Sequence, residues 1–164
     1  MPAQPPAQAG DFVATGELLY AGPGGGRSAA YNQWRIVGRT VNMSYTGNNV
    51  WTGELNGQNM MLTASPGKLV GAGVNLHLFA EGDGFTMRGQ WFQRTIDITI
   101  TPKQLSGRTA QMAPGFELNR AGPNVYSGLR GPGGSAYVEL KGEAANFPNV
   151  SVPQFYLALL AALG

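Results

Sequence analysis

The stretch AGPNVYSG at residues 121–128 nearly repeats TGNNVWTG at residues 46–53, which lies 75 positions earlier. In each copy a short turn is followed by Val, an aromatic residue and Gly. Asn tolerates the left-handed backbone that tight hairpin turns need, and Pro123 presets φ for the first turn position. The two stretches therefore predict two β-hairpins of the same design, one around Asn48 and Asn49 and one around Pro123 and Asn124.

Working outward from these turns, residues 12–142 consist of short alternating runs separated by Gly, Asn or Pro. This pattern is typical of an antiparallel meander. A looser third hairpin has Asp83 and Gly84 in its turn. The expected strands include YNQWRIVG, RTVNMSY, WTGEL, NMMLTA, VNLHLFA, FTMRGQW, RTIDITI, FELNR, VYSGL and SAYVELKG.

The last fourteen residues, SVPQFYLALLAALG, predict a different kind of element. Ser151 is suited to cap a helix, Pro153 is suited to its first turn, and Gly164 is suited to end it. A helix over residues 153–163 would be apolar on every side, so it is expected to be buried. It is too short to cross a bilayer, which takes about 20 apolar residues.

Together these patterns predict the fold class: an all-β, small antiparallel meander β-barrel built from duplicated hairpins, with one buried C-terminal α-helix. A sheet of eight or more short strands tends to close on itself, because closure removes its exposed edges. Residues 1–10 are expected to form a flexible leader rich in Pro, Gln and Ala. Residues 11–164 are expected to form a single barrel domain, with the helix as a plug.

Composition narrows the function. The 11 basic and 9 acidic residues give a net charge of +2 and are scattered, so no nucleic-acid footprint is visible. The chain has no Cys and a single His, which excludes disulfides, thiolate catalysis and multi-His metal sites. No metal and no cofactor is predicted. The leader has the composition of an exported protein's mature start, so a periplasmic or secreted location is expected.

One polar cluster is a candidate catalytic site. If the third hairpin is tight, with its centre between Gly82 and Asp83, His77 opposes Arg88 and Asn75 opposes Gln90, with Asp97 on the next strand of the same face. His77 would then act as a general base, Asp97 as its orienting carboxylate and Arg88 as an anion clamp. The alternative is a solvated outer face, on which cross-strand polar pairs are ordinary. Alternation alone leaves both open.

The aromatic residues offer a candidate binding surface. Trp51 and Tyr126 hold equivalent places in the two repeats, and Trp91 ends another strand. Such rings stack on sugars and flat apolar ligands. With Asn75 and Gln90 as polar contacts, they form the predicted ligand-binding set. The alternative role is packing of the sheet.

YNQW at residues 31–34, a following meander, TGE at residues 52–54 and a repeated GRT together resemble, over a few residues, the avidin and lipocalin-like barrels. The resemblance implies a ligand-binding barrel, and no binding residue is carried over from it. We expect an exported non-catalytic barrel that binds a small apolar, aromatic or glycan ligand or an envelope partner. The alternatives are a small barrel enzyme (a cyclase, isomerase or hydrolase) using His77, Arg88 and Asp97, and a structural or assembly subunit. Its oligomeric state is left open.

Overall fold

A computed structural model describes residues 13–23, 25–109, 115–131, 134–147 and 153–163. Within these ranges the chain forms one closed antiparallel barrel in which successive strands pair and the first strand closes against the last. The strands are β1 Gly16–Gly22, β2 Gly25–Tyr31, β3 Arg35–Gly38, β4 Val41–Gly47, β5 Val50–Leu55, β6 Gln58–Ser65, β7 Lys68–Gly71, β8 Val74–Glu81, β9 Gly84–Trp91, β10 Arg94–Ile100, β11 Gln104–Arg108, β12 Phe116–Gly122, β13 Val125–Arg130 and β14 Ser135–Gly142.

The predicted fold class is confirmed: a closed meander of fourteen described strands with a single C-terminal helix, α1, over Gln154–Leu163. A 3-10 turn at Glu143–Asn146 follows β14. The leader expected at residues 1–10 and the cap expected at Ser151 lie outside the described residues. We call the end of the barrel with the β4–β5 and β12–β13 turns the lower end, and the end with the β1–β2 and β13–β14 turns the upper end.

The two hairpins singled out in the sequence have the same geometry. In the first, Tyr45 pairs with Trp51, and the register shifts before the next pair. In the second, Arg120 pairs with Tyr126, and the register shifts at the same place. Asn49 and Asn124 have φ of 63° and 72°, the left-handed backbone expected of them. Equivalent turns therefore set equivalent registers, and duplication of the hairpin remains a hypothesis about its origin.

One expected strand is two strands. YNQWRIVG contains a reversal after Tyr31, where β2 ends, and β3 begins at Arg35. The side chain of Asn32 makes the turn, because its Oδ1 accepts hydrogen bonds from the backbone N–H groups of Trp34 and Arg35, both at 2.8 Å. This is the local side-chain bonding by which Asn replaces a backbone partner in a turn.

The helix α1 lies inside the barrel. Every one of its residues is buried, with Gln154 the most exposed at 8%. It packs on β1, β2 and β3, while the ring of Tyr156 meets Phe85 of β9 edge-on at 5.7 Å. It runs from the lower to the upper end, because Gln154 donates to the Asn32 carbonyl and Arg27 donates to the Leu163 carbonyl. The apolar plug predicted from the sequence is thus the centre of the core.

Candidate functional site

The cross-strand pairs predicted for the polar cluster are present, but their side chains face outward. His77 pairs with Arg88, Asn75 pairs with Gln90, and Asp97 pairs with Arg88 from the next strand. The intervening residues of these strands, among them Leu76, Met87 and Ile96, form the core. The side chains of the cluster consequently lie on the outer wall of the barrel.

Contacts within this cluster differ from those that a general base requires. Asp97 Oδ1 accepts from Arg88 Nε at 3.1 Å, and the two side chains are 54% and 61% exposed. Arg88 stands on the strand between Asp97 and His77, whose ring stacks on Phe79 with centroids 6.1 Å apart. The carboxylate is therefore paired with the arginine. An exposed pair of this kind contributes about 0–1 kcal/mol. The predicted catalytic roles remain a hypothesis.

A shallow groove of about 610 Å³ runs beside this ion pair on the outer wall. Arg88 and Asp97 line one side of it, and Glu117 and Leu129 line the other. Arg108 adds a second cation, so the groove alternates positive and negative groups. Its lining combines these charged groups with apolar contacts from Phe116 and Leu129.

We expect His77→Ala to change the free energy of unfolding by no more than about 0.5 kcal/mol, because His77 is an outer-wall residue whose ring stacks on its exposed neighbour Phe79. Thermal melts of both proteins, run beside a broad substrate screen, test this. A turnover that is present in the wild type and absent in a fully folded His77→Ala protein would favour the enzyme hypothesis instead.

The predicted aromatic set faces inward. Trp51, Trp91 and Tyr126 are 2%, 6% and 0% exposed, and all three belong to the core. The Tyr126 hydroxyl donates to the Thr101 carbonyl at 2.7 Å. Burial raises the pKa of Tyr126, and the nearby Arg120 guanidinium partly opposes that rise. The structure does not bring these rings together with Asn75 and Gln90, which lie on the outer wall.

Trp51 nevertheless borders a concave site. At the lower end, a pocket of about 380 Å³ opens between β4, β5, β6, β7 and β8 and the start of α1. Tyr45 packs against Trp51 with ring centroids 5.3 Å apart, and Trp34 continues the series at 6.2 Å from Tyr45. We call this site the mouth pocket; its lining is Gln33, Tyr45, Asn49, Trp51, Ala64, Ser65, Pro66, Gly67, Leu69, Leu78, Pro153 and Gln154.

The chemistry of the mouth pocket is mixed. Apolar contact comes from the two rings together with Ala64, Leu69 and Leu78. Hydrogen-bonding groups come from the side chains of Gln33, Asn49, Ser65 and Gln154. The Tyr45 hydroxyl accepts from the backbone N–H of Asn49 at 3.1 Å, which fixes the ring at the rim. The site combines an apolar wall with a few polar groups, as small-molecule pockets do.

Sequence reasoning missed most of this pocket. Tyr45 has the same phase as Val41 and Met43, so alternation places it inside the barrel beside Trp51. That signal was available from the strand alone. Leu69 and Leu78 carried no comparable signal, since only the closure of the sheet brings β7 and β8 next to the start of α1.

Among the described residues no three His, Cys, Asp or Glu side chains are grouped so that they could hold a metal ion. None of the helices in the described ranges has the length and apolarity needed to cross a membrane. Comparison with known proteins gives no relative: the chain matches no protein-family model, and no curated protein and no solved structure is significantly similar to it. Any function must therefore be argued from the site.

Proposed function

We propose that this barrel binds a small ligand with an aromatic or apolar ring in the mouth pocket. The observation that carries the proposal is the meeting of Tyr45 and Trp51 with Leu69 and Leu78 in a concave site at the mouth of a closed barrel. Barrel mouths are a common place for ligand sites.

The size of the pocket limits the ligand. A volume of about 380 Å³ is near the lower end of the range for small-molecule sites, about 300–1,000 Å³. One or two rings fit this space, whereas an extended lipid chain does not, because the buried helix α1 fills the barrel behind the pocket. A ring can lie against Tyr45 while a hydroxyl or carbonyl on it meets Asn49 or Gln154.

The mouth pocket supports this proposal better than the outer-wall groove supports catalysis. The lower-end site has aromatic and aliphatic walls that remove a ring from water, and burial of apolar area is the main driving force for binding. The groove has the larger volume, but its Arg88 and Asp97 side chains are open to solvent, where dissolved salt screens their charges.

Calorimetric titration with 2-naphthol, a two-ring probe, and with methyl β-glucopyranoside, a glycan probe, tests the proposal. We expect saturable binding of 2-naphthol and at least about tenfold weaker binding by Ala64→Phe, because the new ring occupies the pocket. Tyr45→Ala should also weaken binding by removing the stacking surface.

Tyr137→Ala is the matched control, because Tyr137 is an exposed aromatic residue on the outer face of β14, away from the mouth pocket. It should bind 2-naphthol as the wild type does. Equal affinity of the wild type and a folded Ala64→Phe protein would show that the ring binds elsewhere. Saturable binding of the glycoside alone would replace an aromatic ligand by a sugar.

A further inference from the structure

Two arginines point into the barrel at the upper end, away from the mouth pocket. Arg27 shares the inward face of β2 with the buried Ala29, and Arg130 shares the inward face of β13 with the buried Tyr126. Both guanidinium groups lie over the ring of Tyr20, with their Cζ atoms 5.7 and 5.3 Å from its centroid. The two Cζ atoms are therefore no more than about 11 Å apart.

The wall beneath Arg130 is made of small residues. Gly22, Gly128 and Ala136 occupy the inward positions between Arg130 and Tyr20 on adjoining strands. A Cβ atom on Gly22 would come within 2.7 Å of the Tyr20 hydroxyl and 2.8 Å of Ala136 Cβ. Tyr20 and Ala136 therefore pack closely on Gly22, and the Arg130 guanidinium lies over the ring of Tyr20.

Each arginine donates one side-chain hydrogen bond to a neighbouring oxygen, and one nitrogen of Arg130 has no acceptor among the described residues. Arg27 Nη1 donates at 3.3 Å to the Leu163 carbonyl, where the negative end of the α1 dipole favours a cation. Arg130 Nη2 donates to Thr109 Oγ1 at 3.1 Å, and Thr109 is only 5% exposed. Arg130 Nη1, in contrast, is shielded from solvent and has no acceptor among the described residues.

Within the described part of the chain, no carboxylate forms an ion pair with either arginine; Asp97, for instance, pairs with Arg88 on the outer wall. Glu17 and Glu139, on the neighbouring strands β1 and β14, alternate with inward-facing Leu18, Val138 and Leu140 and so point outward. A shielded guanidinium N–H without an acceptor is costly, and such groups are normally completed by an anion or by water.

We propose that the upper end binds a small oxyanion, a carboxylate or a phosphate group, through Nη1 of Arg130, with Arg27 as the second cation. The planar guanidinium suits this chemistry, because its N–H groups match the spacing of carboxylate and phosphate oxygens. Thr109 holds one nitrogen of Arg130 in place and leaves the other for the anion. The site is independent of the mouth pocket at the lower end.

Thermal melts in inorganic phosphate and in acetate, at constant ionic strength set with sodium chloride, test the site. We expect at least one of these anions to raise the wild-type melting temperature in a saturable way, since a ligand of the folded state stabilises it. The two anions distinguish a phosphate site from a carboxylate site. Arg130→Met, which keeps apolar packing on Tyr20 and Phe116, should abolish the rise.

Arg120→Met is the matched control, because Arg120 also lies over a tyrosine ring, that of Tyr126, but at the lower end. It should keep the full anion effect. An equal effect in all three proteins would overturn the proposal, as would the absence of any saturable effect in the wild type. In the latter case water accepts the hydrogen bond from Arg130 Nη1.

A second measurement tests the site if the Arg130→Met protein fails to fold. The ³¹P signal of inorganic phosphate should broaden on addition of the wild-type protein. Arg130→Lys should need at least about a tenfold higher protein concentration for the same broadening, because the lysine side chain lacks the planar guanidinium group. Acetate should reverse the broadening if the site accepts both anions. Equal broadening by the wild type and Arg130→Lys would contradict the proposal. So would the absence of phosphate broadening by the wild type, if acetate also leaves its melting temperature unchanged.

Discussion

Deleting residues 151–164 is expected to abolish cooperative folding. This deletion removes α1, whose side chains fill the barrel: Phe155, Leu157 and Leu159 are each 0% exposed. Burying one such side chain contributes about 1.5–3 kcal/mol. The several large apolar residues of the helix together approach the whole stability of a domain, about 5–15 kcal/mol. The truncated chain should be insoluble, or compact without fixed tertiary packing.

Near-ultraviolet circular dichroism and a thermal melt measure this result, with Leu159→Met as the conservative control. Met has a volume similar to that of Leu, so this variant should lose less than about 1.5 kcal/mol and still melt cooperatively. A truncated protein that keeps the wild-type melt would mean that the barrel wall is stable without its central helix.

Gly107→Ala is expected to cost at least about 3 kcal/mol, the largest effect we expect from adding a single methyl group. Gly107 has φ of 141°, a backbone conformation that residues with a side chain rarely adopt. A Cβ atom there would also overlap the carbonyl oxygen of Asp97 on the paired strand β10. The new methyl group has no free space, so the β10–β11 pairing must shift.

Gly26→Ala is the matched control. Gly26 is also a strand glycine, but the nearest atom to an added Cβ would be the Tyr20 carbonyl oxygen at an ordinary 3.6 Å. This variant should stay within about 0.5 kcal/mol of the wild type. Urea unfolding of both variants decides the matter: equal and small losses would show that the close approach of β10 and β11 relaxes at little cost.

Local chemistry explains which parts of the fold could be predicted. Turn residues set the register of a hairpin, so a tight turn centred between Gly82 and Asp83 sufficed to pair His77 with Arg88, as the structure shows. The all-round apolarity of residues 155–163 likewise sufficed to predict a buried helix. The reversal at Asn32 was missed, because it depends on a side chain bonding to two backbone groups rather than on a Gly or Pro signal.

The candidate site depended on information that a strand does not contain. Alternation separates two faces, but whether His77 or Leu76 points inward follows from which face the closed sheet and its helix cover. The same ambiguity made Trp51, Trp91 and Tyr126 look alike. Only the position of Trp51 near the open lower end makes it part of a pocket.

The amino-acid sequence by itself determined the local elements of this protein: tight turns at the asparagines, strands of alternating pattern and one apolar helix. These depend on backbone preferences and on side chains a few residues apart. Tertiary structure alone decided that β1 pairs with β14 and that α1 occupies the interior of the barrel. It also placed Tyr45 and Trp51 beside Leu69 and Leu78 at the mouth. At the upper end it placed Arg27 and Arg130 over the ring of Tyr20. Those contacts join residues distant in the chain, and only closure of the barrel makes them neighbours.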